Sequence, residues 1–153
     1  MSALLNLVPQ FRPMSKGDLD RVMQIEPRIY LHPWTRGNFR DSLRAGYSCW
    51  VMECGGAFAG YGVLMVGVRD AHLLNLSVAG DWQGKGYGRA FLNHFIALAR
   101  EYDALQMFLE VRPSNVTARQ LYMDMGFKDI SLRRGYYPTG AGREDAILMG
   151  LTL

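Results

Sequence analysis

No apolar run in this sequence approaches the ~20 residues that a membrane-crossing helix needs. Met1 to Pro9 carries no basic flank and only a short apolar stretch, so it does not read as a secretory signal. Lysine and arginine form no run of the kind a nucleic-acid surface displays, although 17 basic residues stand against 14 acidic ones. The net charge of +3 suits a small polyanionic ligand as well as it suits RNA, but without a basic run no direct nucleic-acid partner is expected, and no membrane partner either. Cysteine is scarce. Cys49 and Cys54 lie five positions apart in a strand-like run, an odd offset that points them to opposite faces and forbids a mutual disulfide or a shared metal. There is no H-E-x-x-H, no C-x-x-C pair and no acidic cluster, so no metal is expected. Repeats, low-complexity tracts and linkers are also missing. The expectation is one soluble, cytoplasmic domain spanning residues 1–153, and nothing in the sequence fixes an oligomeric state.

What is present is a regular succession of apolar segments and turn residues. Leu4 to Arg12 reads as an opening strand closed by Pro13. Ser15 and Asp18 offer a helix start, and Leu19, Val22, Met23 and Ile25 keep helical spacing up to Pro27. A second short helix starts near Thr35, after His32-Pro33-Trp34, and runs past Phe39 and Leu43 to Gly46. Tyr47 to Cys54 and Ala57 to Val66 form a hairpin about Gly55-Gly56, and Ala71 to Val78 is a further apolar strand. A long helix, about Gly86 to Tyr102, turns Phe91, Phe95, Leu98, Ala99 and Tyr102 to one face, with His94 at its edge as a structural or surface residue rather than a catalytic one. Leu105 to Val111 is a strand, and Pro113-Ser114-Asn115 opens a helix that Gly126 stops. Phe127 to Arg134 and Asp145 to Leu153 complete the set, linked by Tyr136 to Arg143. The fold class is α/β (α+β), a mixed central sheet of about seven strands with helices on both faces.

The segment Gln83-Gly84-Lys85-Gly86-Tyr87-Gly88-Arg89 stands between a strand and the long helix. Glycine permits positive φ and close approach of a ligand to the backbone, and a helix N-terminus attracts anions. A pyrophosphate is the natural guest. A P-loop would need G-x-x-x-x-G-K-[ST]. Here Gly80 precedes Gly84-Lys85 by one residue too few, and Gly86 takes the hydroxyl position. The dinucleotide fingerprint fits poorly too, since this loop reads G-x-G-x-G after at least four strands.

The pattern Q/R-x-x-G-x-G/A does fit Gln83 to Gly88. Glu110 to Phe127 fits E-V-R-x-S-N-x-x-A-x-x-L-Y-x-x-x-G-F far more specifically. On these residues the sequence resembles the GNAT acetyltransferases. His32-Pro33-Trp34-Thr35, Arg133 to Pro138 and Gly142 to Ala146 resemble one branch of that family, which acetylates the N-terminal alanine of a small-subunit ribosomal protein. The resemblance implies the GNAT fold, acetyl-CoA as cosubstrate and a protein N-terminus as acceptor. It implies a coenzyme site of Gln83, Gly84, Lys85, Gly86, Tyr87, Gly88, Arg89 and Asn115, with the backbone of Leu76, Ser77 and Val78 against the acetyl end. It further implies Glu110 as general base, Tyr122 as general acid, and Trp34, Tyr136 and Tyr137 in the acceptor groove, with Arg143, Glu144 and Asp145 near by. Position 84 is glycine where relatives often carry a long polar side chain, which implies somewhat weaker coenzyme binding.

The residues support parts of this without the family. Glu110 interrupts an apolar strand, Met107 to Val111, and burying a carboxylate costs several kcal/mol unless it is paired or solvated. The competing reading is a strand-end charge paired with Arg112. Asn115 and Tyr122 are seven apart and share one helix face, although a core tyrosine would show the same spacing. An α-amine with pKa near 8 is roughly a tenth neutral at pH 7, against roughly a few parts in ten thousand for lysine. One carboxylate is therefore better matched to an N-terminal amine than to lysine. A lysine or small-amine acetyltransferase stays open as the alternative. A non-catalytic coenzyme-binding module would not need both Glu110 and Tyr122.

Overall fold

A computed structural model describes residues 7–139 and 142–153. Seven strands form one sheet: β1 (Pro9–Pro13), β2 (Ser48–Cys54), β3 (Ala57–Val66), β4 (Asp70–Val78), β5 (Gln106–Val111), β6 (Lys128–Thr139) and β7 (Gly142–Thr152). Among the described residues four α-helices accompany them: α1 (Leu19–Ile29), α2 (Arg36–Arg44), α3 (Tyr87–Glu101) and α4 (Val116–Asp124). The spatial order is β1-β2-β3-β4-β5-β7-β6, and β4–β5 is the parallel pair. The element order and the mixed sheet agree with the reading of the sequence.

Two apolar clusters lie on opposite faces. Leu19 and Val22 of α1 and Phe39 of α2 pack with Cys49, Val51, Tyr61 and Val63. Phe91, Leu92 and Phe95 of α3 and Tyr122 of α4 pack with Met52, Cys54, Leu73, Met107 and Leu109. The cysteines fall in different clusters and are free, as strand alternation required. His94 stacks on Phe11 with ring centroids 4.3 Å apart and meets Trp50 edge-on at 4.5 Å. Burial pushes its pKa down, which favours the neutral ring in this aromatic setting.

Three expected boundaries differ. The first strand starts at Pro9, because β2 ends at Cys54 and leaves nothing for Leu7 and Val8 to pair with; Leu4 to Asn6 lie outside the described residues. Pro13 belongs to β1, an edge strand on which a missing N–H is tolerated. The expected link Tyr136 to Arg143 is mostly paired strand, with Tyr137 opposite Glu144 and Pro138 opposite Arg143. Just before it, the register shifts between Arg133 and Tyr137, where Gly135 takes φ +60°. Tyr102 lies one residue beyond α3 and is exposed rather than on the buried face, because the chain turns away at Asp103.

The corner before α1 is held by charge. Asp18 accepts from Arg12 at 2.8 and 2.9 Å and from the Ser15 amide at 2.8 Å. The Arg12 guanidinium, chiefly by hydrogen bonding, holds the Asp18 carboxyl below its ordinary range, against the opposing effect of burial. A depressed native pKa adds stability that is present above the unfolded value, near 4, and fades as pH falls through the native one. Asp18→Asn is expected to cost about 1–3 kcal/mol at neutral pH. Denaturant melts across an acid series should show the two proteins converging at low pH.

Sheet register creates the opening that matters for function. The β4–β5 ladder runs from Asp70–Gln106 to Leu73–Leu109 and stops there, while β4 continues to Val78 and β5 to Val111. At that point Leu64 pairs with Leu73 and Val63 with Asn75, so Leu74 is an extra, bulged residue. A bulge bends and twists its strand. Beyond it β4 stays with β3, β5 stays with β7, and a cleft opens between them.

Candidate active site

Two cavities meet in that cleft. The first, of about 470 Å³, lies at the start of α3. After Val78 a short 3₁₀ turn, Gly80–Trp82, leads into the glycine segment. Gly84 has φ +73° and Gly86 φ +87°, and Gly86 caps the N-terminus of α3 in the left-handed region. A Cβ on either glycine would meet nothing within 4 Å, so both lie against open space and it is backbone conformation that demands glycine. The amides of the first turn of α3 point to the same mouth. Gln83, Gly84, Gly86, Gly88 and Arg89 line one wall; Asn115, Thr117, Ala118 and Leu121 line the other.

Not every residue of the loop faces this cavity. The Tyr87 side chain is buried, and its hydroxyl donates to the Leu7 carbonyl at 3.0 Å. Lys85 donates to the Asp81 carbonyl at 2.9 Å and lies over the Trp82 ring. Tyr87 and Lys85 are thus left with their backbone for any ligand at this mouth. Arg89 lines the cavity with its Nη1 3.2 Å from the Met125 sulfur.

The second cavity, of about 610 Å³, holds the titratable groups. Glu110 enters from β5, one residue past the last pair with β4, so its outer edge is open. Its side chain is 31% exposed and stands 3.8 Å from Arg133. Arg112, the partner of the competing reading, stands 3.7 Å from Glu144. Trp34 and Tyr136 line the same cavity, and the Tyr137 side chain lies outside the described residues. Glu144 accepts from the Ser114 amide at 2.7 Å and hydroxyl at 2.9 Å, bonds that hold its pKa below the usual range. Asp145 accepts from the Gly135 amide, and Arg143 donates to the Gly135 and Tyr136 carbonyls. Arg143 and Asp145 brace the hairpin, and Glu144 ties it to the residue before the cap of α4.

Tyr30, Leu76, Asn115, Ala118 and Tyr122 line both cavities. The helical spacing of Asn115 and Tyr122 therefore does bring them to one place. Asn115 also caps α4, its side chain accepting from the Ala118 amide at 3.3 Å. Tyr122 is 9% exposed, with its ring 5.8 Å from that of Phe127.

Along the open edge of β4 the backbone alternates. The Asn75 and Ser77 carbonyls stand where side chains on Gly62 and Gly60 would be, so they face β3. Leu76 and Val78 therefore turn their own N–H and C=O to the cleft. The Val78 carbonyl accepts from the Gln83 amide group at 2.8 Å and the Leu76 carbonyl from the Tyr30 hydroxyl at 3.0 Å. Ser77 points its side chain to the opposite face, where it is buried.

Sequence reading passed over Glu26, Tyr30 and Asn75. Glu26 is 1% exposed, lines the larger cavity and accepts from the Trp34 amide at 2.9 Å and the Tyr61 hydroxyl at 2.8 Å. Burial raises its pKa, and these donors oppose the shift. Its signal was there: Leu19, Val22 and Glu26 share the buried stripe of α1, where an acid is out of place.

The arrangement can accept a proton at Glu110, supply one from the Tyr122 phenol, and offer amide donors from the open edge of β4. Among the described residues no group of His, Cys, Asp and Glu could hold a metal, and no helix is long and apolar enough to cross a membrane.

Residues 19–127 match the family described as Acetyltransferase (GNAT) family. The chain is 37% identical over 136 residues to the [Ribosomal protein bS18]-alanine N-acetyltransferase of Escherichia coli (strain K12), covering 89% of this chain and 92% of that one. It superposes on a crystal structure of the ribosomal-protein-S18-alanine N-acetyltransferase from Escherichia coli with TM-score 0.88, at 34% identity over 95% of this chain and 94% of that one. Ard1 from Thermoplasma volcanium superposes with TM-score 0.86, at 25% identity over 95% and 97%.

Proposed function

The chain belongs to the GNAT acetyltransferase family, and from that premise we propose that it acetylates the N-terminal alanine of a small-subunit ribosomal protein in the cytoplasm. The observation that carries this reading is the meeting of two cavities at Tyr122: one has a glycine-rich anion mouth, the other a carboxylate. Acetyl-CoA supplies an acetyl group on a thioester, a carbonyl that an uncharged amine can attack. The fit rests on the open positive-φ glycines, which let main-chain amides approach a diphosphate.

Each residue then has a defined task. The amides at Gly86 to Gly88 and the side chain of Arg89 hold the diphosphate. Asn115 fixes the pantetheine arm as it passes into the cleft. The Leu76 amide, which faces the open edge, donates to the thioester oxygen as negative charge grows there. Glu110 takes the proton that the acceptor amine must lose, directly or through one water. Tyr122 gives a proton to the departing sulfur. Trp34 and Tyr136 flank the acceptor chain, and the modest basicity of one carboxylate suits an α-amine better than a lysine.

Acetyl transfer from labelled acetyl-CoA to a peptide panel tests the acceptor. Peptides that begin with alanine should be labelled on the α-amine. Preference for an internal lysine or for spermidine would overturn the acceptor assignment. The coenzyme half has its own test. Gly86→Val forces a β-branched residue to φ +87°, a conformation costing about 1–3 kcal/mol. Calorimetry should show acetyl-CoA binding about tenfold weaker, or worse, with the fold retained.

A further inference from the structure

We propose that Tyr30 is a positioning residue for acetyl transfer: its hydroxyl caps the Leu76 carbonyl on the open edge of β4, leaving that edge to present amide donors. The inference rests on the acetyl-transfer reading of this site. A strand edge carries donors and acceptors in alternation, and a bare carbonyl beside a growing oxyanion repels it. Leu76 and Val78 each turn one amide and one carbonyl to the cleft. Both carbonyls are occupied by the chain itself, Val78 by Gln83 and Leu76 by Tyr30.

The cap is held by a buried network with a fixed sense. Glu26 accepts from the Asn75 side-chain amide at 3.5 Å, which turns the Asn75 oxygen toward Ser77. Ser77 donates its hydroxyl proton to that oxygen at 2.7 Å. Its lone pairs are then left for Tyr30, whose oxygen is 2.8 Å away. The single Tyr30 proton is accordingly shared between Ser77 and the Leu76 carbonyl. Burial pushes the Tyr30 pKa up to about 12, so the phenol stays a donor across the neutral range. Tyr30 leaves α1 in extended conformation as its C-cap, directly after the turn that Glu26 anchors, and lines both cavities. None of these contacts brings its hydroxyl to the reacting proton, which is why its role is positioning.

Tyr30→Phe removes the hydroxyl and keeps the ring. In the full chain it should lower kcat about tenfold, with KM for acetyl-CoA and for an alanine peptide within about twofold. The loss should be the same factor across neutral pH, with the thermal midpoint lowered by no more than a few degrees. Amide exchange at Ser77, whose N–H shares a peptide plane with the Leu76 carbonyl, should speed up without any ligand present. Unchanged Ser77 exchange would show that Tyr30 does not hold this peptide plane. Faster exchange with unchanged kcat would show that the cap does not serve transfer. A pH-dependent loss would make Tyr30 a titrating participant and overturn the positioning role. Failure of the parent reading shows itself separately, as a wild-type protein inert with acetyl-CoA.

Discussion

Glu110→Gln is expected to lower turnover by about 10²–10⁴ while coenzyme affinity stays within a few-fold. Glutamine keeps the shape of the side chain and its hydrogen-bonding reach, so the cavity keeps its walls. What it loses is the ability to take a proton. Glu110 stands one residue past the last β4–β5 pair, where an amine entering the larger cavity can reach it. It lines that cavity and not the glycine-loop cavity, which is why binding of the coenzyme should be spared. The pH profile adds a signed test. A variant without a base depends on amine that is already neutral, and that fraction grows as pH rises toward the α-amine pKa near 8. The deficit should therefore be largest at low pH and shrink above neutrality. Turnover of Glu110→Gln equal to wild type in steady-state kinetics would remove Glu110 from the chemistry.

The second large effect is at Tyr122. Tyr122→Phe retains the ring against Phe127 and removes only the hydroxyl. Expulsion of the thiolate then lacks its proton donor, and kcat is expected to fall about 10²–10³ with little change in acetyl-CoA affinity. The side chain is nearly buried yet belongs to the walls of both cavities, which is the position a donor to the sulfur must occupy. The opposite pattern, a loss of coenzyme affinity or of thermal stability with kcat intact, would make Tyr122 a packing residue of α4.

Local spacing carried most of what the sequence revealed. The glycine mouth was legible because φ-permissive residues and a helix start occur within seven consecutive positions. Asn115 and Tyr122 were legible from helical periodicity. Glu110 stood out against its apolar strand. The rest depends on contacts between distant segments. Tyr61 and Asn75 reach Glu26 across 35 and 49 positions, and no local pattern announces that pairing. The cap at Leu76 depends on which way a strand turns its carbonyls after a one-residue bulge at Leu74, and a bulge leaves no periodic trace. That the Tyr87 ring turns inward while its backbone stays at the mouth was not legible, because a motif fixes the order of residues but not the direction of each side chain; the left-handed cap at Gly86 starts α3 with that ring inward. Pro138 signalled a loop, yet a long hairpin absorbed it in β6 at the sheet edge.

The most direct test is a crystal structure with a conjugate that joins coenzyme A through its sulfur to the α-amine of an alanine peptide. The diphosphate should lie on the main-chain amides at Gly86 to Gly88, the sulfur beside Tyr122, and the alanine nitrogen toward Glu110. A diphosphate bound elsewhere, or a peptide arm leaving on a side remote from Glu110, would contradict the assignment.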